Sequence, residues 1–280
     1  MKNISKTFVK KILPVRSRSS NKTDSGKVLV VGGGKGLFGA GILAALSATR
    51  SGAGYTHLMT DLSKFSWMKF PDFIVHPLLL SELRKHSDSV IAIGPGLGLT
   101  RNHMKLMAFL IKNKIPKVVV DADALRMLGK MNFKSLPSTW ILTPHEGELA
   151  SMLNIKSNEV KKNRTHWAGV AQKKFGCIVL LKGADTLIVS DSQIYQVSEG
   201  TRALAKAGSG DVLLGMIAGF YAQNGDALKA AMLASFLHGL SSQIWMKEGN
   251  DYLGMRPLDL IERIPKAVLL LRGTGPGLAS

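Results

Sequence analysis

The sequence predicts a single α/β domain with a mostly parallel central sheet flanked by helices. Three observations carry this. Short apolar runs rich in β-branched residues, KVLVV at 27–31, SVIAI at 89–93, KVVV at 117–120 and IVLL at 178–181, alternate with longer segments of helical periodicity. Each run ends in glycine or in a polar turn, the position where ligands collect in open α/β sheets. No linker or repeat breaks the alternation, so one core is expected. The 280 residues, 45% hydrophobic and 20% charged, suffice for it. The expected organisation is a basic N-terminal arm over 1–24, the α/β domain over 25–265 and a glycine-rich C-terminal tail over 266–280.

The arm comes first. Residues 1–27 hold eight Lys or Arg against one acid, Asp24, which reads as a solvated basic segment. The strand at 27–31 then runs into GGGKGLFGAG and a helical stretch, ILAALSATRSGAG. Gly34, Gly36 and Gly39 have the spacing of a dinucleotide-binding turn, with Asp61 following a second strand, YTHLMT. In a glycine-rich chain that spacing is weak, and close packing of helix on strand needs the same small residues. The strand at 89–93 ends in GPGLG, and a helix is expected over 101–114. The next strand runs into Asp121-Ala122-Asp123, which would place two carboxylates on one face if the extension continued, suiting magnesium or a hydroxyl. Capping of the following ALRML helix is the competing use, assigned to Asp123 more readily than to Asp121. WIL at 140–142 leads into TPHEGE, where His145 could meet a ligand oxygen and Glu148 could close a capping box. An amphipathic helix over 158–175, the strand IVLL, the turn KGADT and a hairpin of LIVS with IYQV follow. Two helices over 212–223 and 227–243 come next, the second holding His238 as a core residue, then a short helix around 257–262.

The stretch AKAGSGDVLLG at 205–215 sits ahead of the first of those helices and has two readings. Glycines and unpaired amides at a helix start make an anion site, and a carboxylate beside phosphates needs a reason such as acting as a base or holding a metal. Ser and Asp before an apolar run are also ordinary caps. The net charge of +18 invites a nucleic-acid reading, but no zinc-ligand set, aromatic-interleaved basic strand or recognition helix accompanies it. Attraction of small anions is the better use of that charge, with no specific nucleic-acid partner. The single cysteine, Cys177, lies in an apolar run and excludes an internal disulfide framework, in keeping with a cytoplasmic setting. No apolar run is long enough to span a membrane.

Taken in order, GGGKGLFGAG, AIGPGLG, VVVDADAL, ILTPHEGE, VLLKGADT and AKAGSGDVLLG resemble the NAD(P)H-hydrate dehydratase family of the ribokinase-like superfamily, over roughly residues 22–245. The resemblance implies a ribokinase-like fold in a stand-alone form without an epimerase domain. It implies repair of NADH or NADPH hydrate of the S epimer, using ADP or ATP to phosphorylate the hydrate hydroxyl, with Mg2+ accompanying the nucleotide. By the same resemblance Asp211 is the catalytic base, Gly208, Ser209 and Gly210 form the anion hole, and Ala40, Gly96, His145 and Asp211 contact the hydrated dinucleotide. Lys182, Gly183, Ala184, Asp185 and Thr186, with Gly210, hold the adenine nucleotide. The resemblance leaves the magnesium ligands unassigned and implies a homo-oligomer, a tetramer. Lys206 and Ala207 depart from a frequent Thr-Gly pair, and Glu146 from a frequent Pro. A ribokinase-like kinase of a vitamin or sugar alcohol is the alternative, and a basic nucleic-acid-binding protein a more distant one.

Overall fold

The four consecutive apolar residues of KVLVV, Val28 to Val31, suit a strand buried on both faces, and the stretch becomes one of the inner strands of the sheet. The computed structural model describes residues 1–34, 36–61, 72–191 and 193–273. Along it run β1 (Lys2–Asn3), α1 (Lys6–Lys11), β2 (Lys27–Val31), α2 (Phe38–Arg50), β3 (Tyr55–Thr60), β4 (Ile74–Pro77) and α3 (Leu80–Arg84). Then come β5 (Val90–Ile93), α4 (Arg101–Lys112), β6 (Val118–Val120), α5 (Ala122–Leu128), β7 (Ile141–Leu142), α6 (Glu146–Leu153), α7 (Ser157–Lys162) and α8 (Arg164–Phe175). The chain continues through β8 (Ile178–Leu181), β9 (Thr186–Ser190), β10 (Gln193–Val197), α9 (Ser209–Asn224), α10 (Ala227–Lys247) and α11 (Pro257–Arg272).

Among the described residues, ten strands form one sheet in the order β1-β10-β9-β8-β7-β6-β5-β2-β3-β4. Only the β8–β9 and β9–β10 pairings are antiparallel. Side chains alternate along each strand and divide the core in two. Val28 and Val30 pack on one face beneath α2, α9, α10 and α11, while Leu29 and Val31 pack on the other beneath α3 to α8. The expected single α/β domain with a mostly parallel sheet is the fold observed.

Several local expectations are corrected. The N-terminal arm is built into the molecule: β1 pairs in parallel with β10, and Val9 of α1 is fully buried. Ser5 caps α1 by accepting from the Phe8 amide at 3.2 Å, and the lysines of this short helix face solvent. At the other end, α11 runs to Arg272 and crosses the expected boundary at 265, because Ile264, Ala267 and Leu271 continue its buried stripe. Residues 274–280 of the expected tail, like Lys35 of the glycine turn, lie outside the described residues. The helix expected over 158–175 is two, broken where Asn163 accepts from the His166 amide and caps α8. Gly39 lies inside α2. The amides of Gly33 and Gly34 donate to the carbonyls of Pro95 and Gly96, at 2.8 and 2.6 Å, so these two amides tie the glycine turn to the GPGLG loop.

Candidate active site

The carboxyl ends of β6, β7 and β8 meet the first turn of α9. Asp121 directly follows β6, and the two carboxylates of DAD do not share a face, because Ala122 adopts a left-handed conformation (φ 48°) and turns the chain. Asp121 Oδ1 accepts from Lys182 Nζ at 2.7 Å, whereas Asp123 Oδ2 accepts from the Gly98 amide at 2.8 Å. Neither side chain caps α5. Lys182 lies just past β8, with Glu148 Oε2 as a second partner at 3.7 Å. Burial works against the Lys182 charge, but attraction to Asp121 and Glu148 outweighs it and raises the ammonium above its ordinary pKa.

His145 begins α6. Its Nδ1 accepts from the amides of Gly147 (3.0 Å) and Glu148 (3.2 Å), and Glu148 Oε2 accepts from the His145 amide at 2.8 Å. The capping box is therefore closed by the histidine ring itself, leaving Nε2 to carry the proton. The exposed ring remains at the mouth of a cleft.

The turn before α9 depends on Gly208. Its φ is 94°, and a Cβ there would fall 2.5 Å from Pro257 Cγ, so no other residue fits. Ala207, which stands where a frequent Gly is replaced, does not share that left-handed geometry, so its Cβ brings no backbone strain. Lys206 turns its ammonium to the Leu253 carbonyl at 2.9 Å. Ser209 donates its hydroxyl to the Leu204 carbonyl (2.8 Å) and its amide to the Lys206 carbonyl (3.2 Å). Among the described hydrogen bonds none engages the amides of Gly210 or Asp211, so the first turn keeps open donors there. A Cβ on Gly210 would lie 3.5 Å from Lys182 Nζ, which places this backbone directly against the Lys182–Asp121 pair.

Asp211 follows. Burial, with Asp121 and Glu148 adding repulsion and Lys182 opposing them, pushes its carboxyl up to about 7. A carboxylate there can take a proton near neutral pH. His238, read from the sequence as a core residue, is buried on α10 and donates from Nε2 to the Ser209 carbonyl at 2.9 Å. Burial holds its ring at about 4, so it is neutral, and it ties α10 to the turn. Nothing in its apolar sequence context reveals that link.

Two cavities share this wall. One, of about 440 Å³, is lined by Lys182, Gly183, Ala184, Thr186, Ser209, Gly210 and His238 together with Val197 and Gly200–Arg202. The other, of about 830 Å³, is lined by Asp121, His145, Glu148, Lys182–Ala184 and Gly208–Asp211. Lys182, Gly183, Ala184, Ser209 and Gly210 border both, while Asp211 borders only the larger. Gly96 lines a third cleft of about 650 Å³ with Gly34 and Leu37, and Ala40 lies beside it, 3.3 Å from where a Gly96 Cβ would be. Asp185 lines none of these: its Oδ1 accepts from Ser198 Oγ at 2.5 Å and its carbonyl from Arg164 at 2.7 Å.

Residues 28–266 match the sequence profile described as NAD(P)H-hydrate dehydratase. The chain is 31% identical to the ADP-dependent (S)-NAD(P)H-hydrate dehydratase of Nitrosopumilus maritimus, over 94% of this chain and 95% of that one. It is 34% identical to the bifunctional NAD(P)H-hydrate repair enzyme of Coxiella burnetii, over 90% of this chain and 52% of that protein, so it spans about half the length of such bifunctional relatives. The fold is similar to the ADP/ATP-dependent NAD(P)H-hydrate dehydratase of Bacillus subtilis co-crystallised with ATP and Mg2+, with a TM-score of 0.84 at 28% identity, covering 96% of this chain and 98% of that one. It is likewise similar to a ribokinase-like superfamily protein of Enterococcus faecalis, with a TM-score of 0.85 at 25% identity and 96% of each chain covered.

Proposed function

The chain belongs to the NAD(P)H-hydrate dehydratase family, and from that premise we propose that it restores NADH and NADPH from their S hydrates at the expense of ADP or ATP. The observation that carries this is the wall common to two cavities, with Asp211 facing only one of them. A donor nucleotide fits the smaller cavity, with Lys182, Gly183, Ala184 and Thr186 along it and its terminal phosphate at Gly210. The hydrated nicotinamide fits the larger one, between His145 and Asp211, and the rest of the dinucleotide extends towards Gly96 and Ala40. Gly208, Ser209 and Gly210 form the anion turn; the open amides of Gly210 and Asp211 supply the donors, and Ser209 holds the turn's shape. Asp185 contributes through its backbone.

The reaction needs little covalent work from the protein. Asp211 takes the proton of the hydrate hydroxyl as its oxygen attacks the terminal phosphorus, and the bond from phosphorus to the nucleotide's bridging oxygen breaks. Charge on the moving phosphoryl is met by the α9 amides and by Lys182. The ring carbon–oxygen bond then breaks with its electron pair leaving on phosphate, and loss of a ring proton restores the double bond. Water is thereby removed as phosphate, a far better leaving group than hydroxide. The carboxylates of Asp121 and Glu148, buried and lining the larger cavity, are the hard oxygen donors that suit Mg2+. Held by these carboxylates beside the shared wall, Mg2+ would offset charge on the nucleotide's phosphates.

Among the described residues no helix is long and apolar enough to cross a membrane. A cytoplasmic homo-oligomer, a tetramer by family likeness, completes the proposal. The test is recovery of reduced-nicotinamide absorbance when purified protein meets NADH hydrate, magnesium and ADP or ATP. Recovery with either nucleotide is expected. No recovery, with phosphorylation of a thiazole or pyrimidine alcohol instead, would replace this reading by a vitamin kinase.

A further inference from the structure

Three histidines converge at the β4 edge of the sheet, and none of them lines the cavities described above. His57 lies on β3 and His76 on β4. The register pairs His57 with Ile74 and Met59 with His76, so the two histidines are diagonal neighbours on one face. His86 follows α3 and brings its ring against both, with centroids 4.7 Å from His57 and 5.0 Å from His76. His57 Nδ1 and His76 Nε2 are 2.9 Å apart, and one nitrogen from each of the three rings lies within 4.8 Å of the others. The opposite nitrogen of His76, Nδ1, faces Glu82 Oε2 at 3.6 Å. A carboxylate in that place favours the proton on Nδ1 and leaves the Nε2 lone pair directed at the cluster, as partners of metal-bound imidazoles do.

We propose that His57, His76 and His86 bind one borderline divalent transition-metal ion, Zn2+ foremost, clamping the edge strand β4 to β3 and to the turn after α3. Imidazole nitrogen suits zinc, copper or nickel and does not suit magnesium, so this site is chemically separate from the one serving the nucleotide. Tetrahedral zinc at about 2.0–2.1 Å from nitrogen sets ligands about 3.3 Å apart. The His57–His76 pair needs to open by only a few tenths of an ångström, and His86 closes the third position. A fourth position is left for water. The nearby charges are already paired among themselves, Lys85 with Glu82 and Lys27 with Asp88, both at 2.7 Å.

The experiment is titration of chelator-treated protein with Co2+ and then Zn2+, in parallel with His86→Ala and His76→Gln. Expected are one Co2+ per chain, visible bands of a four-coordinate nitrogen site without a thiolate charge-transfer band, displacement by Zn2+, and a higher melting temperature in Zn2+. Each variant should weaken binding by at least about tenfold. Absence of saturable Co2+ or Zn2+ binding overturns the proposal, as does undiminished binding in His86→Ala, which would point to His103, His145, His166 or His238. If a variant does not fold, the stoichiometry and spectrum of the unaltered chain decide. The readout is metal binding, so its failure leaves the dehydratase reading untouched.

Discussion

Asp211 is pulled in two directions. Its place in the first turn of α9 and the nearby Lys182 favour the anion, while burial and the Asp121 and Glu148 carboxylates disfavour it, and the second group prevails. A carboxyl that titrates near 4 in the unfolded chain and at about 7 in the folded one binds its proton more tightly when folded. Its contribution to stability is therefore present below pH ~4, falls as pH rises through the window up to about 7, and is gone above it. Asp211→Asn keeps the shape and removes the charge. Its melting temperature should exceed that of the unaltered chain at pH 8, by a margin that shrinks at pH 5, while turnover falls by roughly 10²–10⁴-fold. Scanning calorimetry at the two pH values and the absorbance assay check both. The unaltered enzyme should gain kcat/KM with pH and level off above about 7. A lower melting temperature for the variant at pH 8 would mean that the carboxylate is stabilised by its surroundings.

At the level of elements, the precision of the site rests on how closely α9 approaches α2. Gly215 and Gly219, one turn apart, face α2. A Cβ on Gly219 would come 2.7 Å from the Ala48 carbonyl oxygen, and one on Gly215 would overlap the Ala44 carbonyl and Ser47. Gly215→Ala must push the helices apart, so a loss of about 1–3 kcal/mol is expected, with weakened turnover because α9 carries Asp211 at its start. Chemical denaturation and kinetics of the variant measure the two effects. An unchanged denaturation midpoint would show that the interface has room. This packing was partly legible beforehand, since the apolar runs became strands within a residue or so and the GSGD turn opens a helix. Other features were not legible, for physical reasons. Asp121 meets Lys182 across 61 positions, and only the sheet order, which places β6, β7 and β8 side by side, brings them together. The separation of Asp121 from Asp123 depends on a left-handed alanine, a conformation that its residue type does not signal. The IVHP strand carries a histidine and ends in proline at an edge, so its pattern is weak.

Over the whole molecule, the eight Lys and Arg of residues 1–27 imply a solvated basic arm, yet the short helix α1 within it is amphipathic. Val9 and Leu13 enter the core that α9, α10 and α11 build, while Lys6, Lys10 and Lys11 stay outside. The Arg272 guanidinium closes the contact by donating to the Pro14 carbonyl at 2.7 Å, joining the N-terminal segment to the end of α11. Composition reported the lysines and hid the two apolar anchors between them. Deleting residues 1–13 therefore uncovers core rather than trimming a solvated tail, and it strips β1 from β10, leaving a new sheet edge. At about 1.5–3 kcal/mol for each buried Val or Leu side chain, the loss should lower the melting temperature by roughly 5–10 °C and increase aggregation. None of the deleted residues lines the two cavities around Asp211, so KM for the nucleotide and kcat at low temperature should change little. Calorimetry, light scattering and steady-state kinetics of the truncated chain separate these effects. An unchanged melting temperature would return the segment to the solvated arm that its charge implies.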